Sequence, residues 1–262
     1  MAYNKLKKKI MKDWFQSIAE GNVSDYEVIE KFGENPDVDT GTDPEDVWDY
    51  GGVYTFSSTA DIDQISSSDD TDTQDVIVCG LDEDWGVVEQ TVTLTGQTPA
   101  TLDTPLIRVY RMYNSGTTDF SGDIYLSTNG AALTAGVPNT ANTVRAMIRN
   151  GNNQTLMCIY TIPSGKTGYF WAGYIGYGAS SSTGASFTWS ARLFGKVFCV
   201  KSKLSLIGTG TSTWNYTYKS PVKLPEKTDV KIVCKEVEAN NTAVTVFNIS
   251  KIQNESNSQQ CA

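Results

Sequence analysis

The side chains best placed to do chemistry are Asp82, Glu83 and Asp84, three consecutive carboxylates between two apolar runs. A pair of carboxyl groups held about 5 to 10 Å apart across a cleft is what hydrolysis of a glycosidic bond requires. Adjacent acids on a tight turn closed by Gly86 point apart into water, so the pattern reads as a solvated β-turn. The chain contains no histidine, which removes the usual general base near neutral pH, the histidine-dependent triads and most zinc, copper and non-haem iron sites. Gly165, Lys166 and Thr167 end like a phosphate-binding loop but lack the upstream glycine and the following helix. No enzymatic activity is expected.

Two further constellations invite a ligand. Asp37, Asp39, Asp43 and Glu45 are spaced like the oxygen donors of a calcium loop, since Ca²⁺ takes several carboxylate and carbonyl oxygens. Thr42 stands where such a loop needs glycine, and Trp48 where it needs a bidentate glutamate. Calcium is the one cofactor the spacing admits, and otherwise none is implied. Among the aromatic residues, Trp171 and Tyr174 are the pair that would stack on a host glycan if exposed, although rings on adjacent strands pack into a core far more often. The five cysteines, Cys79, Cys158, Cys199, Cys234 and Cys261, form no CxxC pair, and the first four lie in apolar strand-like segments. They read as buried small hydrophobes kept reduced in a cytoplasm.

The elements that would carry these residues are mostly strands. From Asp75 onward, short apolar or alternating runs recur at intervals of about ten residues, the spacing of a sandwich or barrel. Alternation is cleanest where Phe187, Trp189, Ala191 and Leu193 interleave with Ser186, Thr188, Ser190 and Arg192, and where Val230, Ile232 and Cys234 interleave with Asp229, Lys231 and Lys235. Each such strand should bury one face and wet the other. Residues 151–171 read as a hairpin, with Pro163, Ser164 and Gly165 making a turn in which Gly165 takes the left-handed conformation. Residues 156–162 are apolar on both faces and belong in the middle of a sheet stack or at a subunit contact. Residues 61–75, acidic and rich in serine and threonine, read as a polar loop.

The N-terminus differs. Leu6, Ile10, Trp14 and Ile18 recur every four residues with Phe15 alongside, which predicts an amphipathic helix of about four turns. Such a helix is marginal alone and needs its stripe covered, by its own domain or by a neighbouring subunit. Leu6, Ile10, Trp14, Phe15 and Ile18 are therefore the expected anchoring residues. The start never reaches the apolar run of a signal peptide, and no membrane span is expected. Residues 1–12 carry five lysines and no acid, residues 20–89 carry 21 acids against Lys31 alone, and residues 90–262 carry 15 bases and eight acids. An acidic zone of that size argues against direct nucleic-acid binding.

Several segments carry a family resemblance: GNNQTLMCIYTIPSGKTGYFW at 151–171, FGENPDVDTGTDPEDVWDYGGVYTF from Phe32, GLDEDWGVVEQTVTLTGQTPATL from Gly80, and RLFGKVFCVKSKLSLI with PVKLPEKTDVKI near the end. Together they resemble an uncharacterised group of virion structural proteins from marine tailed bacteriophages. The likeness covers most of the chain from about Phe32 and implies a head decoration, head fibre or knob, or tail component, with no catalytic residues to transfer. It implies a virion location after assembly in the host bacterial cytoplasm, and partners among the major capsid, portal or tail proteins and further copies of itself. The lysine-rich start lies outside the match, so anchoring rests on its pattern alone.

The resulting expectation is an all-β protein, a jelly-roll-like antiparallel β-sandwich with one main core, preceded by a short amphipathic helix and an extended acidic arm. The expected divisions are 1–56 for helix and arm, 57–253 for the sandwich and 254–262 for a polar tail. The alternative from another class is a carbohydrate-binding receptor-recognition module of a fibre or tip.

Overall fold

A computed structural model describes residues 13–36, 38, 44–236 and 245–256. After a short helix α1 (Trp14–Ala19), the described chain is built of strands, and every described pairing is antiparallel. The strands are β1 (Tyr26–Asn35), β2 (Glu45–Asp46), β3 (Ile62–Ser67), β4 (Asp75–Leu81), β5 (Val87–Thr93), β6 (Ala100–Leu106), β7 (Arg108–Asn114) and β8 (Ile124–Thr128). They continue with β9 (Leu133–Thr134), β10 (Val137–Pro138), β11 (Val144–Ile148), β12 (Ile159–Thr161), β13 (Lys166–Arg192), β14 (Cys199–Leu224), β15 (Asp229–Glu236) and β16 (Thr245–Ser256). The all-β expectation is met.

In place of the one main core expected, the described residues form two large cores and a small third cluster of Leu81, Trp85 and Ile107. A four-stranded sheet, β11-β8-β3-β6, and a three-stranded sheet, β5-β4-β7, enclose the first, which includes Trp48, Ile62, Ile65, Val78, Met112 and Leu126. The second belongs to a seven-stranded sheet whose main path runs β1-β16-β13-β15-β12, with β14 on β13 and β2 on β15. Residues 156–162 lie between the two as expected: Met157 and Ile159 join the first core, while Cys158, Tyr160 and Ile162 join the second. Period-2 alternation makes this possible, because successive side chains leave the strand on opposite faces.

The segments expected to be separate strands on either side of residue 180 are one 27-residue strand, β13, paired along its length with the 26-residue β14. A straight strand would hold Phe170 and Trp189 about 60 Å apart at ~3.3 Å per residue. Their rings instead stack with centroids 4.2 Å apart, so the ribbon turns back on itself, and the register shift between Ala179 and Thr183 marks the bend. The two halves close over Phe170, Ile175, Tyr177, Ala185, Phe187 and Trp189, and Tyr218 of β14 packs on both Phe170 and Trp189. Phe187, Trp189 and Ala191 are buried as the alternation predicts, but Ser190 and Asp229, expected on the wet faces, are buried as well, and Leu193 departs from the pattern because the strand ends at Arg192 and Leu193 opens the exposed turn.

The turn at Pro163–Gly165 forms, with Gly165 at φ +72° and the Lys166 amide donating to the Pro163 carbonyl. The strands it joins are nevertheless not partners. Strand β12 pairs with β15, and β13 starts between β14 and β16. The 225–228 turn takes the place a hairpin partner would fill: the Ile162 amide donates to the Thr228 carbonyl and the Lys227 amide to the Ile162 carbonyl.

The 1–56 arm is corrected as well. Strand β1 lies in the seven-stranded sheet, in register with β16 from Tyr26↔Glu255 to Asn35↔Val246. A Cβ on Gly33 would stand 2.4 Å from the Cys158 backbone nitrogen, so the backbones touch there and only glycine fits. Trp48, inside the expected arm, belongs to the first core. The tail likewise begins later than residue 254, because β16 runs to Ser256. Residues 61–75 contain β3 rather than a loop throughout. Buried Asp72 receives the Ser67 hydroxyl at 2.6 Å and the Ser121 and Gly122 amides at 2.8 and 3.0 Å, so it fastens the strand ends.

Candidate assembly surface

A buried charged hub ties the three-stranded sheet to the seven-stranded one and lies beneath a group of exposed apolar side chains. Asp229, the first residue of β15, receives Arg108 Nε at 2.8 Å and the Thr161 hydroxyl at 2.6 Å on Oδ1. Its Oδ2 receives Arg108 Nη2 at 3.2 Å and Arg192 through Nε at 2.9 Å and Nη2 at 2.5 Å. Arg108 Nη1 donates to the Ser57 and Ile107 carbonyls at 2.5 and 2.8 Å. Two guanidinium forks on one carboxylate fix position more tightly than point charges would. Arg108 comes from β7 of the three-stranded sheet and Thr161, Arg192 and Asp229 from β12, β13 and β15 of the seven-stranded sheet, so the hub sets their relative placement. Nearby, Lys231 pairs with buried Asp46, its Nζ 2.8 Å from Oδ1, and the Tyr54 amide donates to Oδ2 at 2.7 Å. Burial pushes the Asp46 carboxyl up, and Lys231 opposes the shift.

Beyond Arg192 the chain reverses through residues 193–198, the Lys196 amide donating to the Leu193 carbonyl and Gly195 sitting at φ +69°. This turn exposes large apolar side chains: Leu193 is 45% accessible, Phe194 61% and Val197 77%, with Val200 at 62% just beyond. Lys196 and Lys201 are exposed among them. The turn is braced from below. Arg192 lies over the Phe56 and Phe198 rings at 4.9 and 4.7 Å, and Phe194 meets Trp85 edge to face at 5.5 Å. Lys227 sits over both of those rings, 5.8 Å from Trp85 and 5.4 Å from Phe194. A cleft of about 260 Å³ between Phe56, Trp85, Arg108, Arg192 and Phe194 opens beside it.

Trp85 belongs to the carboxylate turn between β4 and β5. These strands form the expected hairpin, and Asp82 Oδ1 accepts the Asp84 and Gly86 amides at 3.0 and 2.9 Å. Asp82 therefore closes its own turn, while Glu83 and Asp84 face solvent. The sequence pattern did not reveal the hub or the 193–200 surface. The one available signal was Leu193-Phe194 beside Gly195-Lys196, an apolar pair at a glycine where a turn would expose it.

Leu6 and Ile10 lie outside the described residues. Ile18 is buried, Trp14 is exposed with its ring edge on Tyr26 at 5.6 Å, and Phe15 lies within α1. The stripe is thus not covered as a unit over the described turns. Asp37, Asp39 and Asp43 also lie outside the described residues. Glu45 Oε2 is taken by Asn35 Nδ2 at 2.9 Å and the Gly52 amide at 2.8 Å, and no metal-sized group of acids or cysteines occurs among the described residues. Trp171 and Tyr174 are half-buried on β13. An aromatic row lies on β14, where half-buried Trp214 and exposed Tyr216 stack at 5.5 Å and Tyr216 meets half-buried Tyr218 edge to face at 4.7 Å.

Cys79, Cys158 and Cys234 are buried as expected, whereas Cys199, at the start of β14, is exposed. Burial pushes the Cys79 thiol up to about 11 and that of Cys158 up to about 12. A groove of about 560 Å³ lies between β1 and the β4, β5 and β7 side of the sandwich. Lys31 is buried in its wall, donates to the Tyr110 carbonyl, and is brought down by burial to about 8.

No family model matches the chain, and no curated protein matches it. Among solved structures, the infectious bursal disease virus Gt strain aligns over 90% of this chain and 72% of that one, at 9% identity and a TM-score of 0.27. The VP2 subviral particle of the same virus aligns over 90% and 74%, at 10% identity and a TM-score of 0.26. Agreement this low carries no conclusion about fold or role.

Proposed function

We propose that the chain is a non-catalytic structural protein of a bacteriophage virion, a capsid decoration, head fibre or knob, or tail-associated component, that self-associates and attaches to the particle through the residues preceding β1. One observation carries the reading: the 193–200 turn holds four large apolar side chains in water on a braced base, a surface suited to protein contact. The Asp82 and Asp229 carboxylates and the Arg108 and Arg192 guanidinium groups near it are engaged in holding the fold. The resemblance to marine tailed-phage proteins includes RLFGKVFCVK and LPEKTDVKI, which are the turn and the chain around Asp229. Attachment is assigned to residues 1–25, because β1 and Trp48 are integral to the fold. Deleting residues 1–25 is expected to leave a folded protein that purified particles no longer carry, scored by mass spectrometry and cryo-EM of particles assembled with the variant. Unchanged incorporation overturns the attachment, and absence of the full-length chain from particles overturns the whole reading.

The aromatic row on β14 favours a second reading, receptor recognition by stacking on a host glycan. It moves the platform from Trp171 and Tyr174 to Trp214 and Tyr216. Selective binding on a glycan array that disappears in Tyr216→Ala supports it, and an array without selective signal excludes it.

A further inference from the structure

We infer that the face around Trp85 and Phe194 is a self-complementary interface on which two copies of this chain pair about a twofold axis. The inference rests on the self-association proposed above and names its surface. The face has two poles of opposite character. One is the acidic turn, with Glu83 and Asp84 exposed and Val87 half-exposed to the solvent beyond them. The other is the apolar and basic turn, with Leu193, Phe194, Val197 and Val200 set among Lys196 and Lys201. They meet where Trp85 and Phe194 touch at 5.5 Å, with Lys227 over both rings.

No ion pair joins Glu83 or Asp84 to Lys196, Lys201 or Lys227 among the described residues, so both sets of charges remain available to a neighbour. In a twofold pair, residue i of one copy meets j of the other and j meets i. A patch whose acidic and basic halves adjoin therefore satisfies itself twice, each acidic turn lying against the other copy's lysines while Phe194 and Val197 are covered near the axis. Pairing two basic turns would bring like charges together, which is costly at an interface. The surrounding bracing adds a second advantage, since a turn already fixed by Arg192 and the Phe56, Trp85 and Phe198 rings loses little freedom on binding.

Charge reversal on each pole tests this with the full chain. Lys196→Glu with Lys201→Glu makes both poles acidic, and Glu83→Lys with Asp84→Lys makes both basic. All four side chains are exposed, so the circular dichroism spectrum of the folded chain is expected to be unchanged and confirms folding. Sedimentation and light scattering should show wild type at twice the 28.6 kDa of one chain. Each reversed variant should dimerise about tenfold or more weakly. An equimolar mixture of the two should recover the dimer, as should the chain carrying all four changes, because opposite poles face each other again. A wild-type dimer that both reversals leave intact overturns this interface while self-association stands. Recovery as species larger than two chains overturns the twofold geometry, and a wild type monomeric at every concentration overturns interface and self-association together.

Discussion

Replacing Asp49 with asparagine should remove a pH dependence that the fold imposes on itself. Asp49 follows Trp48 in the turn after β2, with its side chain buried in the structure. Its Oδ2 accepts the Leu156 amide at 2.7 Å, while Oδ1 is buried without a hydrogen-bond partner. Burial raises its carboxyl from 3.8 to about 7, against the opposing Leu156 amide and Arg149, with Glu34 and Asp123 adding to the rise. Because the folded value lies above the unfolded one, the stabilising contribution is complete below about pH 4 and is lost as the pH rises through about 7. A shift of about three units corresponds to about 4 kcal/mol between those limits. The amide oxygen of the Asp49→Asn variant would keep the bond to the Leu156 amide, and its side chain would carry no charge at any pH. Urea unfolding of both proteins from pH 4 to pH 8 should then give nearly equal stabilities at pH 4 and a variant more stable by up to about 4 kcal/mol at pH 8. Asp46 shifts in the same direction but is present in both chains, so it cancels in the difference. A difference that stays constant across that range refutes the assignment.

Three further outcomes follow from buried or exposed groups. Asp229→Asn should cost about 3 to 5 kcal/mol in the same unfolding assay, because Arg108 would be left buried without a carboxylate; a loss below about 1 kcal/mol would mean the hub is solvated. Lys31→Met should stabilise the protein at pH 7 by up to about 3 kcal/mol, since its folded value of about 8 lies below the ordinary 10.5. That gain should shrink as the pH approaches 10.5, where the unfolded lysine also loses its proton, and a gain independent of pH counts against it. In a Cys261→Ser background, a maleimide probe should label Cys199 at once and Cys79, Cys158 and Cys234 only on unfolding, with mass spectrometry of the peptides as the check. Early labelling of Cys158 would contradict its burial between β1 and the second core.

Particular residues show how far local pattern reaches. The buried sides of the alternation, Phe187, Trp189 and Ala191 and then Val230, Ile232 and Cys234, were legible because a strand's side-chain period of two is written in the residues themselves, whereas Ser190 and Asp229 on the expected wet faces are buried by segments that no local pattern names. Turn chemistry was legible for the same reason: Asp82 to Gly86 and Pro163 to Gly165 need only their own backbone conformations. Leu193 marks the limit, since the pattern continues through it while the strand does not.

What the chain determined alone was its β character, its tight turns, the absence of histidine chemistry and the double-sided apolarity of residues 156–162. Tertiary structure decided the rest. Period-2 alternation says which face a strand buries and nothing about which strand lies beside it. Pairing β1 with β16 joins residues more than 200 positions apart, and placing β15 between β12 and β13 separates strands that a short sequence gap had made look like a hairpin. The bend that stacks Phe170 on Trp189, the convergence of Arg108, Thr161 and Arg192 on Asp229, and the meeting of Phe194 with Trp85 are likewise contacts between distant segments. Such contacts are chosen by closing two cores at once, and no local window contains them.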